Sequence, residues 1–125
     1  MSKEIKFRAW DKQNKNMEEV DLLGSNVLHI KNSEWENIED FEVMQYTGLK
    51  DKNGVEIYEG DIIREQSKRL DKYFVVEWLD RIGSYSFQPV DKEAKSWPCF
   101  NFGSAKNLEI VGNIYKNKEL LEGSK

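Results

Sequence analysis

The sequence predicts a mainly β fold, and three observations carry that reading. Apolar residues recur in short runs with period two, as they do in strands with one buried face. Turn residues punctuate those runs at roughly 8–12 residue intervals, the spacing of small barrels and sandwiches. Aromatic and β-branched residues recur along the chain, with four Trp, five Tyr and six Phe in 125 residues. Each aromatic removes roughly 150–250 Å² from water, so a few large side chains carry much of the burial. A chain of this length fits one domain and hides about two-thirds of its unfolded surface.

The first strand is Ile5 to Trp10, with Ile5, Phe7 and Ala9 expected to face inward. Asp11 to Asn16 is a polar turn, and Met17 to Leu23 returns as the hairpin partner. Gly24-Ser25-Asn26 turns the chain again into a short strand, Val27 to Ile30. Lys31 to Asp40 is open between a short helix and a loop. Trp35, Ile38 and Phe41 are spaced three apart, and Asn32 or Ser33 would cap a helix there. Glu42 to Thr47 reads as a strand.

Asn53-Gly54 is a strong turn signal, because both residue types tolerate positive φ. Val55 to Tyr58 is extended, Glu59-Gly60-Asp61 punctuates it, and Ile62 to Arg64 opens a new strand. Tyr73 to Leu79 is apolar at alternate and intervening positions, so it is expected to be central and buried on both faces. Tyr85 to Pro89 alternates, and Pro89 limits it to an edge or a strand end. Residues 91–106 read as irregular, with a short helix over Asp91 to Lys95 open as an alternative. Leu108 to Tyr115 is the last strand, with Gly112 marking a bulge, and Lys118 to Glu122 fits one helical turn. Tyr58 to Leu79 has the pattern of a small SH3-like barrel. The expected organisation is an N-terminal β-meander (1–41) packed on a barrel (42–125), one compact unit with one or two short helices.

Bulk properties narrow the classes. Net charge is −4, and residues 21–48 alone carry six acidic groups against one basic. That is a poor basis for phosphate-backbone binding, which depends on clustered Lys and Arg. A single cysteine, Cys99, rules out an intrachain disulfide and fits a reducing compartment. The N-terminus has no apolar signal core, and no apolar run is long enough to span a membrane as a helix.

Three stretches carry a resemblance: Ile5-Lys6-Phe7-Arg8-Ala9-Trp10-Asp11, the long segment Met44 to Ile62 around Thr47-Gly48 and Asn53-Gly54, and Val111-Gly112-Asn113-Ile114-Tyr115-Lys116-Asn117 followed by Glu119-Leu120-Leu121. In these the chain resembles the YopX-like proteins of phages and prophages of Gram-positive bacteria. The resemblance implies a phage or prophage origin, a host cytoplasmic location, an SH3-like C-terminal part and self-association. It brings no biochemical activity with it.

Candidate chemistry is sparse. His29 and Cys99 are 70 positions apart and make two of the roughly four ligands a zinc site needs, so both read as structural. Asp51, Glu56, Glu59 and Asp61 form a carboxylate cluster without a calcium-loop pattern, and turn chemistry is the plainer reading for them. Gly48, Gly54 and Gly60 recur without a phosphate-binding fingerprint and read as turn glycines. Arg64, Lys68, Arg69 and Lys72, with Tyr73 beside them, are the candidate nucleic-acid-binding group, through backbone attraction and base stacking. Glu65 and Asp71 dilute that group, and a solvated loop is the competing reading. Trp10, Tyr46 and Tyr58 are the candidate interface residues, because Trp and Tyr are over-represented at binding hot spots. The expectation is a non-enzymatic, self-associating protein-binding module of unknown biochemical role, a homo-oligomer with a host or phage protein as further partner. It has no cofactor, no metal and no membrane partner. The alternative is a nucleic-acid-binding small barrel.

Overall fold

The structure, a computed structural model, describes residues 5–65, 72–80, 83–90 and 108–122. The chain divides into two units, Met1–Tyr46 and Thr47–Lys125, and the division falls inside one long strand.

The first unit contains β1 (Phe7–Asp11), β2 (Asn16–Leu23), β3 (Val27–Ile30), β4 (Trp35–Asn37) and the start of β5 (Phe41–Lys50). They lie in the antiparallel order β4-β3-β2-β1-β5. The β1–β2 turn is built by Asp11, whose carboxylate accepts the backbone N–H of Gln13 and Asn14 at 2.9 and 3.0 Å. Those bonds, that of Asn14 first, hold the Asp11 carboxyl below its ordinary range. Lys15 closes the turn with φ 58°, the left-handed conformation that lets so short a connection reverse.

Ala9, Leu28, Ile30 and Phe41 form the core of this unit, with Val20, Ile38 and Val43 packed against it. Leu28 is fully buried, which is worth about 1.5–3 kcal/mol. Ile5, expected inside, is 69% exposed, because it precedes the first paired residue of β1. The open segment 31–40 is neither a helix nor a plain loop. Asn32 turns at φ 63°, β4 pairs with β3, and a single 3-10 turn, Ile38–Asp40, follows. Asn37 caps that turn by accepting the N–H of Glu39 at 3.0 Å.

The second unit holds the end of β5 beside β6 (Glu56–Tyr58), then a four-stranded antiparallel sheet. That sheet contains β7 (Asp61–Glu65), β8 (Lys72–Leu79), β9 (Ser84–Pro89) and β10 (Leu108–Asn113), in the order β10-β7-β8-β9. A four-residue helix, α1 (Glu119–Glu122), ends the described chain. The mainly β prediction holds, and its barrel is refined: among the described residues these strands make an open sheet. Ile57, Ile63, Phe74, Val76, Phe87 and Leu108 are its core, with Leu49 and Ile110 against them.

β8 is central in this sheet, as expected, but not buried on both faces. Phe74 and Val76 on one face are buried, whereas on the other Tyr73 and Val75 are only partly buried and Glu77 is exposed. The expected bulge is present in β10, between Ile110 and Gly112. Beyond it Asn117 Oδ1 accepts the N–H of Asn113, and Asn113 Oδ1 accepts those of Tyr115 and Lys116. The helix considered for 91–95 lies outside the described residues. Among the described residues no helix is long and apolar enough to cross a membrane.

Candidate functional site

The surface that stands out lies on the first unit, on the face of β2–β3–β4 opposite its core. A bulge creates it. β2 alternates regularly up to Val20, which pairs with Ile30 and faces the core. Strict alternation would send Leu22 the same way. Instead the register shifts between Val20 and Leu22, so Leu22 pairs with His29 and turns outward. His29 in turn pairs with Trp35 across β3 and β4. Leu22, His29 and Trp35 therefore form one row across three strands, and Val27 shares their face.

The row is exposed yet ordered by contacts. Leu22 is 56% and Trp35 53% exposed. The ring of His29 meets that of Trp35 edge-on at 5.2 Å. The extra residue of the bulge, Asp21, accepts a hydrogen bond from His29 Nδ1 at 2.7 Å. His29 is thus held between a carboxylate and an indole. Among the described residues no group of three or more His, Cys, Asp or Glu is placed to hold a metal ion.

The residues singled out from the sequence fall elsewhere. Trp10 and Tyr46 are only 7% and 4% exposed, so they have little surface for a partner, and Tyr58 is half-buried. The ammonium of Lys6 lies 5.6 Å from the centre of the Tyr46 ring. Arg64 is ion-paired with Glu109, its cross-strand neighbour on β10, and faces Tyr73 on β8. Lys72 sits opposite Glu65. Lys68 and Arg69 lie outside the described residues, as does Cys99.

Two of the four clustered carboxylates, Asp51 and Asp61, bond turn backbone. Asp51 is buried, and its Oδ1 accepts the N–H of Asn53 and Val55 at 2.8 and 3.0 Å. Its Oδ2 accepts the N–H of Ile110 on β10 at 3.0 Å. Asp61, also buried, accepts the N–H of Tyr58 at 2.8 Å. Thr47 donates its hydroxyl to the carbonyl of Ile57 at 2.7 Å and accepts the N–H of Leu49. Gly48, Gly54 and Gly60 all have positive φ, between 81° and 94°, as turn glycines should. The bonds of Asp51, Asp61 and Thr47 stabilise backbone.

The family profile described as "YopX protein" matches residues 6–122, nearly the whole chain. The chain belongs to the YopX family. No curated protein matches it. Among solved structures it is similar to protein EF1440 from Enterococcus faecalis, at 28% identity and a TM-score of 0.72. That similarity covers 96% of this chain and 99% of the other. The long segment of the resemblance, Met44 to Ile62, contains Thr47, Asp51 and Asp61. The exposed row lies outside that stretch. Its signal in the sequence is the Leu22-Leu23 pair, since a strand with one buried face must turn one of two adjacent leucines outward.

Proposed function

We propose that this YopX-family chain is a non-enzymatic accessory protein of a phage or prophage that works in the host cytoplasm by binding protein, including copies of itself. The observation that carries the reading is the exposed Leu22–His29–Trp35 row. Large apolar side chains gathered on one face mark interaction surfaces, whereas single exposed ones are ordinary. The engagement of Asp51 and Asp61 with backbone amides supports a non-enzymatic role. The pairing of Arg64 with Glu109 weakens the nucleic-acid alternative.

Two measurements test the reading. Sedimentation equilibrium over a wide concentration range is expected to give a mass that rises with concentration; a strictly monomeric protein would remove self-association. Fluorescence anisotropy with labelled single-stranded DNA, duplex DNA and RNA at low salt is expected to show no binding. Tight binding that falls steeply with salt would overturn the protein-binding reading and return attention to Arg64, Lys68, Arg69, Lys72 and Tyr73.

A further inference from the structure

We infer that the end of β2 has two registers against β3, and that exchange between them makes and breaks the exposed row. This deepens the protein-binding reading and rests on it for the use of the row, though not for the exchange. In the structure Val20 pairs with Ile30, Leu22 with His29 and Leu23 with Leu28, which leaves Asp21 as the extra residue. The second register has no bulge. Val20 keeps Ile30, Asp21 pairs with His29, Leu22 with Leu28 and Leu23 with Val27. Leu22 then faces the core side and Leu23 faces outward, because a slip of one residue sends each side chain to the other face. The row loses its leucine, and the cross-strand neighbour of His29 becomes a carboxylate.

Four features bring the two registers close in free energy. The side chains that change places are both leucines, and burial fixes neither: Leu22 is 56% exposed, and Leu23, the inward one, still 40%. The polar contact survives the slip, since Asp21, now 2.7 Å from His29 Nδ1, comes directly opposite His29. The turn fits either length. Gly24 donates its N–H to the Val27 carbonyl at 2.8 Å, which leaves Ser25-Asn26 as a two-residue connection. In the second register Gly24 joins a three-residue loop, Gly24-Ser25-Asn26. Such loops end on a residue in the left-handed conformation, which Asn adopts more readily than most. Finally, β3 need not move. It is anchored by its pairing with β4, and the Asn26 carbonyl accepts the N–H of Ile38 at 3.0 Å. The slip is confined to residues 21–26.

Nuclear magnetic resonance of the full chain, with no partner added, tests this. Relaxation dispersion in the parent is expected to show exchange with a minor state of roughly 0.1–10%. The exchange should be confined to residues 20–30 and absent from β1 and β5. Two variants bias the registers in opposite directions. Leu22→Thr puts a polar group where the bulged register faces water, so it should keep the backbone contact between positions 22 and 29 and lose the exchange. Leu23→Thr does the same for the second register and should replace that contact with one between positions 22 and 28. Gly24→Ala is an independent lever. A Cβ there would lie 3.3 Å from both Val27 Cγ2 and the Val27 carbonyl oxygen, a crowding that only the bulged register imposes. It should raise the population of the second register about tenfold.

A parent without exchange in residues 20–30 would overturn the proposal. So would a contact between positions 22 and 29 that persists at full strength in both Leu23→Thr and Gly24→Ala. Either result leaves the protein-binding reading standing, on a row that is permanent. A strictly monomeric protein, or salt-dependent nucleic-acid binding, removes parts of that reading and leaves the two registers as they are, so the two failures are distinguishable.

Discussion

Asp51 accepts three backbone N–H groups, two from its own turn and one from β10, and it does so while buried. Hydrogen bonds to a charged acceptor contribute more than neutral ones, and removal leaves the donors unpaired. Asp51→Ala is therefore expected to destabilise the protein by about 3 kcal/mol, measured by urea unfolding. Tyr85 offers a second test at this scale. Burial, with the charge of Glu59 adding to it, pushes its hydroxyl up to about 12 from an ordinary 10. The unfolded chain loses that proton first as pH rises. The stability Tyr85 contributes is thus fully present below pH 10 and is lost as pH climbs toward 12. Urea midpoints should fall across that window by an amount equivalent to about 2 kcal/mol, and Tyr85→Phe should flatten that part of the fall. If the variant and the parent decline in parallel, Tyr85 is not the group responsible.

The elements show which local signals a sequence carries well. The Asn53-Gly54 turn and the Gly112 bulge were legible, because each depends on a residue type that few others replace. β4 was not. Its three residues sit among glutamates, and the spacing of Trp35, Ile38 and Phe41 imitates a helix. What makes it a strand is its backbone pairing with β3, Val27 with Asn37, Leu28 with Glu36 and His29 with Trp35, which lies in no local pattern. The burial of β8 was overstated for a related reason. Trp78 is apolar in the sequence, but its indole N–H reaches Asp80 at 2.8 Å and its ring stays half exposed near the strand's end. Gly112 gives this scale its prediction. A Cβ there would stand 2.4 Å from Asn117 Oδ1, the atom that accepts the Asn113 N–H. Gly112→Ala is expected to cost about 1–3 kcal/mol by displacing Asn117. Thermal denaturation would read it directly, and an unchanged midpoint would mean that the turn relaxes freely.

Across the whole molecule, stability and recognition draw on different residues. Each unit has its own core, and the exposed row belongs to neither. Phe87→Ala, which empties a fully buried site, is expected to lose about 3–5 kcal/mol. Trp35→Ala should stay within about 0.5 kcal/mol of the parent, despite removing a side chain of similar size, since surface changes rarely do more. Urea unfolding of the pair checks this, and a large loss in Trp35→Ala would mean that the indole is structural. The mainly β class was legible because alternation and turns are local. The candidate site was not, because it depends on one unpaired residue in β2 that reverses which leucine faces outward.

The turn held by Asp51 also bears on how the protein ages. Asn-Gly is the dipeptide most prone to lose its side-chain amide, because the next backbone nitrogen attacks the asparagine carbonyl. Here that nitrogen belongs to Gly54, and its N–H is bonded to the Asp51 carbonyl at 3.0 Å. Asn53 should therefore deamidate slowly in the folded protein and quickly once it unfolds. Mass spectrometry of samples stored with and without denaturant would read this, and equal rates in the two would show that the bond gives no protection. Chemical damage at Asn53 would then serve as a clock for how long a sample has spent unfolded.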